Sequence, residues 1–249
     1  SIVHYSFTMG VPGFFSFVKS KYPMAVQKVS TVSLIPQCDN LLIDVNALIH
    51  VATHDNSTSC VNESYEVVAS RVMVELDSII TFLNPQKLVY ILVDGTVPRN
   101  KLNQQRRRRF MAAQERLKSS YETGDSGLFD TNQITPGTEF MEHMSDIIQY
   151  YIALRISTDP AWKKVSVLFS SHRCPGEGEH KIMDYLRQLI ADKQYKDSDH
   201  TLCYGSDADL IFLSLTLHKK NVNVIRKVDV FDSTYRIQND VGMRGELDH

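Results

Sequence analysis

The stretch Leu88-Val-Tyr-Ile-Leu-Val-Asp-Gly95 sets six apolar residues in line and ends them on a carboxylate and a turn. A run this short, bounded by Asp-Gly, reads as a buried strand. The pattern recurs at Leu41–Asp44, Val165–Phe169, Thr201–Tyr204 and Val222–Ile225. Between these runs the period changes to that of helices. Glu63–Leu83 carries apolar residues at 67, 68, 72, 76, 79, 80 and 83 and stops before Pro85. A second helix starts near Pro98, a residue suited to a first helical turn, and extends to about Lys118. Gly137–Arg155, Glu179–Asp192 and Asp209–Leu217 complete the alternation, and Ser119–Asp130 reads as a loop. Strands alternating with helices predict one α/β unit, a mainly parallel sheet with helices on both faces.

Composition agrees with a globular domain. Of 249 residues, 43% are hydrophobic and 22% charged, which excludes a disordered tail, a collagen-like repeat and a coiled coil. No stretch approaches the ~18 uninterrupted apolar residues of a membrane span. Ser1–Val18 is apolar but lacks a basic start, and Gly10, Pro12 and Gly13 interrupt it, so it is not read as a signal peptide. Cys38, Cys60, Cys174 and Cys203 form no C-x-x-C pair and read as reduced intracellular thiols, with cytoplasm and nucleus both open.

Four strands run into acids: Asp44, Asp94, the pair Glu177 and Glu179, and the pair Asp207 and Asp209. Open parallel sheets bind ligands outside the carboxyl ends of their strands, so six acids converge on one crevice. Residues two apart share a side only in extended or turned backbone, which Gly176, Gly178 and Gly205 make accessible. Clustered carboxylates repel unless a hard cation neutralises them, and all-oxygen ligation suits Mg²⁺ or Mn²⁺. Two such ions about 4 Å apart would clamp the attacking and leaving oxygens of a phosphodiester. Each acid has a plainer reading: a turn for Asp94-Gly95, a favourable helix N-terminus for Glu177 and Glu179, an N-cap for Asp207. Together they favour a metal-dependent nuclease.

The charge distribution points the same way. The chain carries net −2, yet Arg99, Lys101, Arg106, Arg107, Arg108, Arg109, Arg116 and Lys118 face only Glu115 within one segment, a local charge of +7. On a helix Lys101, Gln105, Arg108 and Arg109 fall on one stripe, with Arg106 and Arg107 outside it. The stripe begins just after Asp94, and its forked donors suit a terminal phosphate. The plainer readings of the run are a solvated helix face or a nuclear-import signal.

These residues lie in passages that resemble the 5′→3′ exoribonuclease (Xrn) family. The passages are Met9-Gly-Val-Pro-Gly-Phe-Phe15, Asp39-Asn-Leu-Leu-Ile-Asp-Val-Asn-Ala-Leu-Ile-His50, Asp94–Arg109, Phe129–Met141, Pro175-Gly-Glu-Gly-Glu-His-Lys-Ile-Met183 and Tyr204-Gly-Ser-Asp-Ala-Asp-Leu210. The resemblance implies a PIN-like 5′-nuclease fold and processive hydrolysis of single-stranded RNA bearing a 5′-monophosphate, in RNA decay or processing. It implies that Asp44, Asp94, Glu177, Glu179, Asp207 and Asp209 ligate two Mg²⁺ or Mn²⁺ ions. It places Lys101, Gln105, Arg108 and Arg109 around the 5′-phosphate and stacks His50 near the first bases. By its position alone, His50 is a helix-face residue paired with His54. His172 and Cys174 read as ordinary loop residues, and Trp162 as a packing residue.

Two departures qualify the resemblance. Ser1–Thr8 precedes the methionine at which relatives begin, as a tag or a natural extension. The second, helical region of the family, with a further metal-binding aspartate and a base-stacking aromatic, does not follow before His249. The expectation is a domain of weak, distributive activity, completed by that region or by a protein partner. Two other classes compete: a non-catalytic RNA-binding scaffold, and a flap or PIN-type endonuclease, which the phosphate stripe disfavours.

Overall fold

The computed structural model describes residues 13–29, 37–53, 64–123 and 130–226. Residues 1–8, His54 and Cys60 lie outside that set. Among these residues five strands form one sheet: β1 (Asn40–Asp44), β2 (Leu88–Leu92), β3 (Ser166–Ser170), β4 (Thr201–Tyr204) and β5 (Val222–Ile225). Their order is β3-β2-β1-β4-β5, with every pairing parallel. The strands fall within one residue of the bounds expected from sequence.

Strand periodicity divides the core in two. Leu41, Ile43, Val89, Ile91, Leu202 and Tyr204 face one side, where α3 (Tyr65–Leu83) and α5 (Glu139–Thr158) bury Val72, Leu76, Met144 and Ile148. Leu42, Leu92 and Cys203 face the other, against Ile182, Met183 and Leu186 of α7 (Gly178–Ala191) and Leu210 of α8 (Ala208–Leu215). Thr138 caps α5, its hydroxyl accepting from the Met141 N–H at 3.3 Å. Trp162, in the one-turn helix α6 (Pro160–Lys163), is buried edge-on against Tyr151, a packing residue as its sequence context suggested.

The remaining α-helices among the described residues are α1 (Phe14–Lys21), α2 (Asn46–Thr53) and α4 (Arg99–Thr123). The last corrects the sequence reading. It runs past Lys118 into the segment taken for a loop, because Ser119–Thr123 contains neither glycine nor proline and the first glycine is Gly124. Residues 124–129 of that expected loop lie outside the described set.

The order of the strands locates the crevice. From β1 the chain crosses to β2 and β3 on one side, then returns to β4 and β5 on the other. The switch point is between β1 and β4, where parallel sheets open a cleft at their carboxyl ends. Asp44 closes β1 and Asp207 follows β4, so the switch point is flanked by acids.

Candidate metal centre and phosphate pocket

Asp44 is the last residue of β1 and is buried, its Oδ1 accepting from the Asn46 N–H at 3.0 Å. Asn46 in turn reaches across to the next strand end, where its Oδ1 accepts from the Asp94 N–H at 3.0 Å. Asp94 Oδ1 accepts from the Gly178 N–H at 2.7 Å, which ties the end of β2 to the first turn of α7. The ends of β1 and β2 and the start of α7 are thus linked through one asparagine and one backbone amide. Asn46 lies in a passage that flagged the family, but its own role was not legible: nothing in the sequence says which amide it will bridge.

Each acid pair straddles the start of a helix. Glu177 and Asp207 are extended, with φ/ψ of −79/158 and −74/136, but they are the N-cap residues of α7 and α8. Glu179 and Asp209 belong to the first helical turn. Neither cap residue makes a side-chain cap hydrogen bond. The plainer reading of Asp207 as a cap therefore fails on geometry, since it holds the position without doing what a cap does. Glu177 and Glu179 do stand at a helix N-terminus, as their plainer reading has it.

The glycines are used in different ways. Of Gly176, Gly178 and Gly205, Gly176 alone has positive φ, at +101°. Gly178 is required for space, since a Cβ there would lie 2.6 Å from Asp44 Oδ1. Gly95 is packed harder, as a Cβ would overlap the Cys174 carbonyl oxygen. Reciprocal bonds Gly95 N–H to Gly176 O at 2.8 Å and Gly176 N–H to Thr96 O at 2.9 Å lock the loop after β2 to the loop carrying Glu177.

Two residues that sequence reasoning missed stand at this site. The buried Lys181 donates from Nζ to the carbonyls of Val93 at 2.7 Å and Ser171 at 3.0 Å, holding the ends of β2 and β3 together, and burial lowers its pKa. His180 presents Nδ1 3.6 Å from Glu177 Oε2, and the ligand atoms of Glu177, Glu179 and His180 lie within 4.8 Å of one another. Among the described residues this is the group spaced to hold a metal ion. His172 and Cys174, by contrast, are loop residues as expected. His172 is buried, with Nδ1 2.6 Å from Ser145 Oγ and Nε2 2.9 Å from Glu142 Oε2. His50 lies half-buried on α2.

The electrostatics are those of an anion cluster. Burial, then Asp94 and Glu179, hold the Asp44 carboxyl well above the usual range. Burial, reinforced by Glu177, raises Asp94 against the Gly178 N–H. Glu179 is pushed up to about 7 by burial, with Glu177 and Asp94 adding to it. Asp209 is raised by burial and by Asp207. A buried carboxylate set of this kind ionises fully only with cations in it, and oxygen-rich donors suit a hard divalent ion. The residues fit a divalent metal.

Of the basic stripe, Lys101, Gln105 and Arg109 are half-buried, whereas Arg108 is as exposed as Arg106 and Arg107. Arg108 still acts on the site, its charge lowering the pKa of Asp94. Lys101 Nζ lies 2.6 Å from Glu177 Oε2 and 3.9 Å from Glu179 Oε1. Burial disfavours its ammonium, but the Glu177 hydrogen bond together with the charges of Glu177, Glu179 and Asp209 more than offsets this, and its pKa is raised. The basic helix thus meets the carboxylates directly.

A pH dependence follows from these shifts. Between the ordinary carboxylate value of ~4 and about 7, the metal-free folded domain holds a proton on Glu179 that the unfolded chain has released, and the raised Asp44 and Asp94 act in the same direction. Its stability therefore falls as pH rises through that window. Divalent ions bind the deprotonated cluster, so their stabilisation grows over the same range, reaching about 2.7 kcal/mol at a hundredfold excess over Kd. Calorimetric melts with and without Mg²⁺ should diverge from pH 5 to pH 8. A Mg²⁺-induced shift in Tm that is equal at both ends would refute the assignment.

The sequence matches the family described as XRN 5'-3' exonuclease N-terminus over residues 9–228. It is 39% identical to 5'-3' exoribonuclease 1 of Saccharomyces cerevisiae over 231 residues, covering 90% of this chain and 15% of that protein. It is 37% identical to 5'-3' exoribonuclease 1 of Homo sapiens over 227 residues, covering 88% and 13%. Against 5'-3' exoribonuclease 2 of Gallus gallus the identity is 36% over 255 residues, covering 88% and 27%. The chain thus spans from about an eighth to about a quarter of the length of these relatives. With strand-end acids and a basic helix in the passages that carry the likeness, this chain belongs to the XRN 5'-3' exonuclease family and corresponds to its N-terminal region.

Proposed function

We propose that this domain carries the hydrolytic site of a metal-dependent 5′→3′ exoribonuclease acting on RNA with a 5′-monophosphate. The observation that supports it most is the contact of Lys101, from the basic helix, with the buried Glu177 and Glu179. It sets donors for a terminal phosphate beside carboxylates for divalent ions. Asp44, Asp94, Glu177, Glu179, Asp207 and Asp209 would hold Mg²⁺ or Mn²⁺, two ions in the complete enzyme. The metal supplies Lewis-acid polarisation of the phosphodiester.

The chain's own residues do the rest. Lys101, Gln105, Arg108 and Arg109 receive the 5′-phosphate and so set which bond is cut, since a fixed end places the first phosphodiester at the carboxylates. His50 meets the first bases. Asn46 and Lys181 keep the strand ends in register. A scaffold reading is less well supported, because buried repelling carboxylates are a cost with no return unless cations bind them.

The direct test is degradation of 5′-monophosphate and 5′-hydroxyl RNA with and without Mg²⁺. The expected result is hydrolysis that needs Mg²⁺ and prefers the phosphorylated end. Equal rates on the two ends would remove end recognition from the reading, and hydrolysis indifferent to a chelator would remove the metal. Arg109→Ala should abolish the preference by removing a charged donor worth about 1.5–3 kcal/mol, roughly 10–100-fold. Arg106→Ala or Arg107→Ala should weaken binding to both RNAs alike, through backbone electrostatics. If all three behaved the same way, the pocket would reduce to a diffuse basic patch.

A further inference from the structure

Lys101 holds a position that neither the metal centre nor the phosphate pocket explains alone. It projects from the first turns of α4, on the stripe with Gln105 and Arg109, yet its Nζ lies 2.6 Å from Glu177 Oε2 and 3.9 Å from Glu179 Oε1. The side chain is 15% exposed, and those of Glu177 and Glu179 are 10% and 6% exposed. An ion pair this sheltered is weakly screened. The ammonium and a divalent ion are both cations, and Glu177 Oε2 is an acceptor for either. A phosphate entering along the stripe is, in turn, a rival acceptor for the same ammonium.

We propose that Lys101 couples the two sites: it competes with the divalent ion for Glu177, so that each ligand, by drawing the pair apart, raises the affinity for the other. The inference rests on the metal and phosphate reading above and deepens it. Linkage makes the effect reciprocal, so that the factor by which Mg²⁺ tightens phosphate binding equals the factor by which phosphate tightens Mg²⁺ binding. The nuclease centre would then load its metal most firmly when a phosphorylated end is present.

Titration calorimetry on the full chain tests this, with Mg²⁺ alone, inorganic phosphate alone, and each in the presence of the other. In the unsubstituted chain each ligand is expected to tighten the other roughly 5-fold or more, within the usual span of coupling between sites. In Lys101→Gln, Mg²⁺ alone should bind more tightly than in the unsubstituted chain, because its competitor has gone, and the mutual tightening should largely vanish. A residue that merely ligates phosphate would not improve metal binding when removed. Lys101→Met serves as a second variant, with circular dichroism confirming that both fold, and Arg109→Gln controls for loss of a nearby positive charge.

Mg²⁺ binding to the Lys101 variants that is unchanged or weaker overturns the inference, as does equal tightening in Arg109→Gln. Undiminished coupling in the Lys101 variants would mean that the ion meets the phosphate directly, and would overturn it too. Failure of the unsubstituted chain to bind Mg²⁺ at all would instead strike the metal reading, and the inference with it. The two failures are therefore distinguishable.

Discussion

Asp207→Asn is expected to lower hydrolysis of 5′-monophosphorylated RNA by 10²-fold or more while leaving the fold untouched. Asp207 is exposed at the N-cap of α8 and makes no cap hydrogen bond there, and asparagine suits that position as well as aspartate does. What the substitution removes is one negative charge from the carboxylate set. Weaker hold on one cation should cost several kcal/mol of transition-state stabilisation, on the order of 10²-fold per ~2.7 kcal/mol. Asp44→Asn should lose as much activity but move stability the other way. Its carboxylate is buried beside Asp94 and Glu179, so the neutral amide should stabilise the metal-free domain at pH 8 by roughly 0.5–2 kcal/mol. Single-turnover rates and thermal melts check both. Full turnover in Asp207→Asn would sink the metal assignment, and a lower metal-free Tm for Asp44→Asn would show that its charge is already compensated.

A single methyl group at Gly95 should be nearly as damaging, through position instead of charge. A Cβ there overlaps the Cys174 carbonyl oxygen and comes within 3.1 Å of the His172 carbonyl oxygen, both backbone atoms that cannot rotate aside. The loop of residues 171–176 must shift, and that loop is fixed to the site by the paired Gly95 and Gly176 bonds and by Lys181 on Ser171. Gly95→Ala should therefore destabilise the domain by about 1–3 kcal/mol, the usual range for overpacking. Displacement of Glu177 by about 1 Å should lower the rate around 10²-fold. Gly205→Ala is the contrast, because its Cβ would meet the end of the Leu210 side chain at 2.9 Å, a group that can move. Melting curves and rates that fail to separate these two alanines would show that the 171–176 loop is softer than its bonds imply.

Much of this protein is written locally in its sequence. Runs such as Leu88–Val93 and Leu41–Ile43 are too short and too apolar to be anything but buried strands once helical periods lie between them. Alternation in turn makes the sheet parallel, and a parallel sheet gathers whatever follows its strands at one edge. Asp44, Asp94, Glu177, Glu179, Asp207 and Asp209 were legible as candidates for that reason: each ends or follows a strand, and the rule for their meeting place needs only the order of elements. The extent of α4 was less legible, because Ser119–Thr123 has no residue that forbids a helix and only weak signals that end one.

Tertiary structure decided what depends on distance between strands. In each acid pair extended backbone is kept by Glu177 and Asp207 alone, because α7 and α8 begin one residue later. No local pattern tells that Gly178 exists to make room for Asp44, since the two are 134 positions apart and meet only when β1 and α7 are in place. The same holds for Asn46 on the Asp94 amide, for Lys181 on two strand ends, and for Lys101 on Glu177. Residue type and spacing state which groups can do chemistry, because that is a property of one side chain and its neighbours in the chain. Which groups share an oxygen or a proton donor is settled by the packing of elements far apart in sequence, and is found only in the fold.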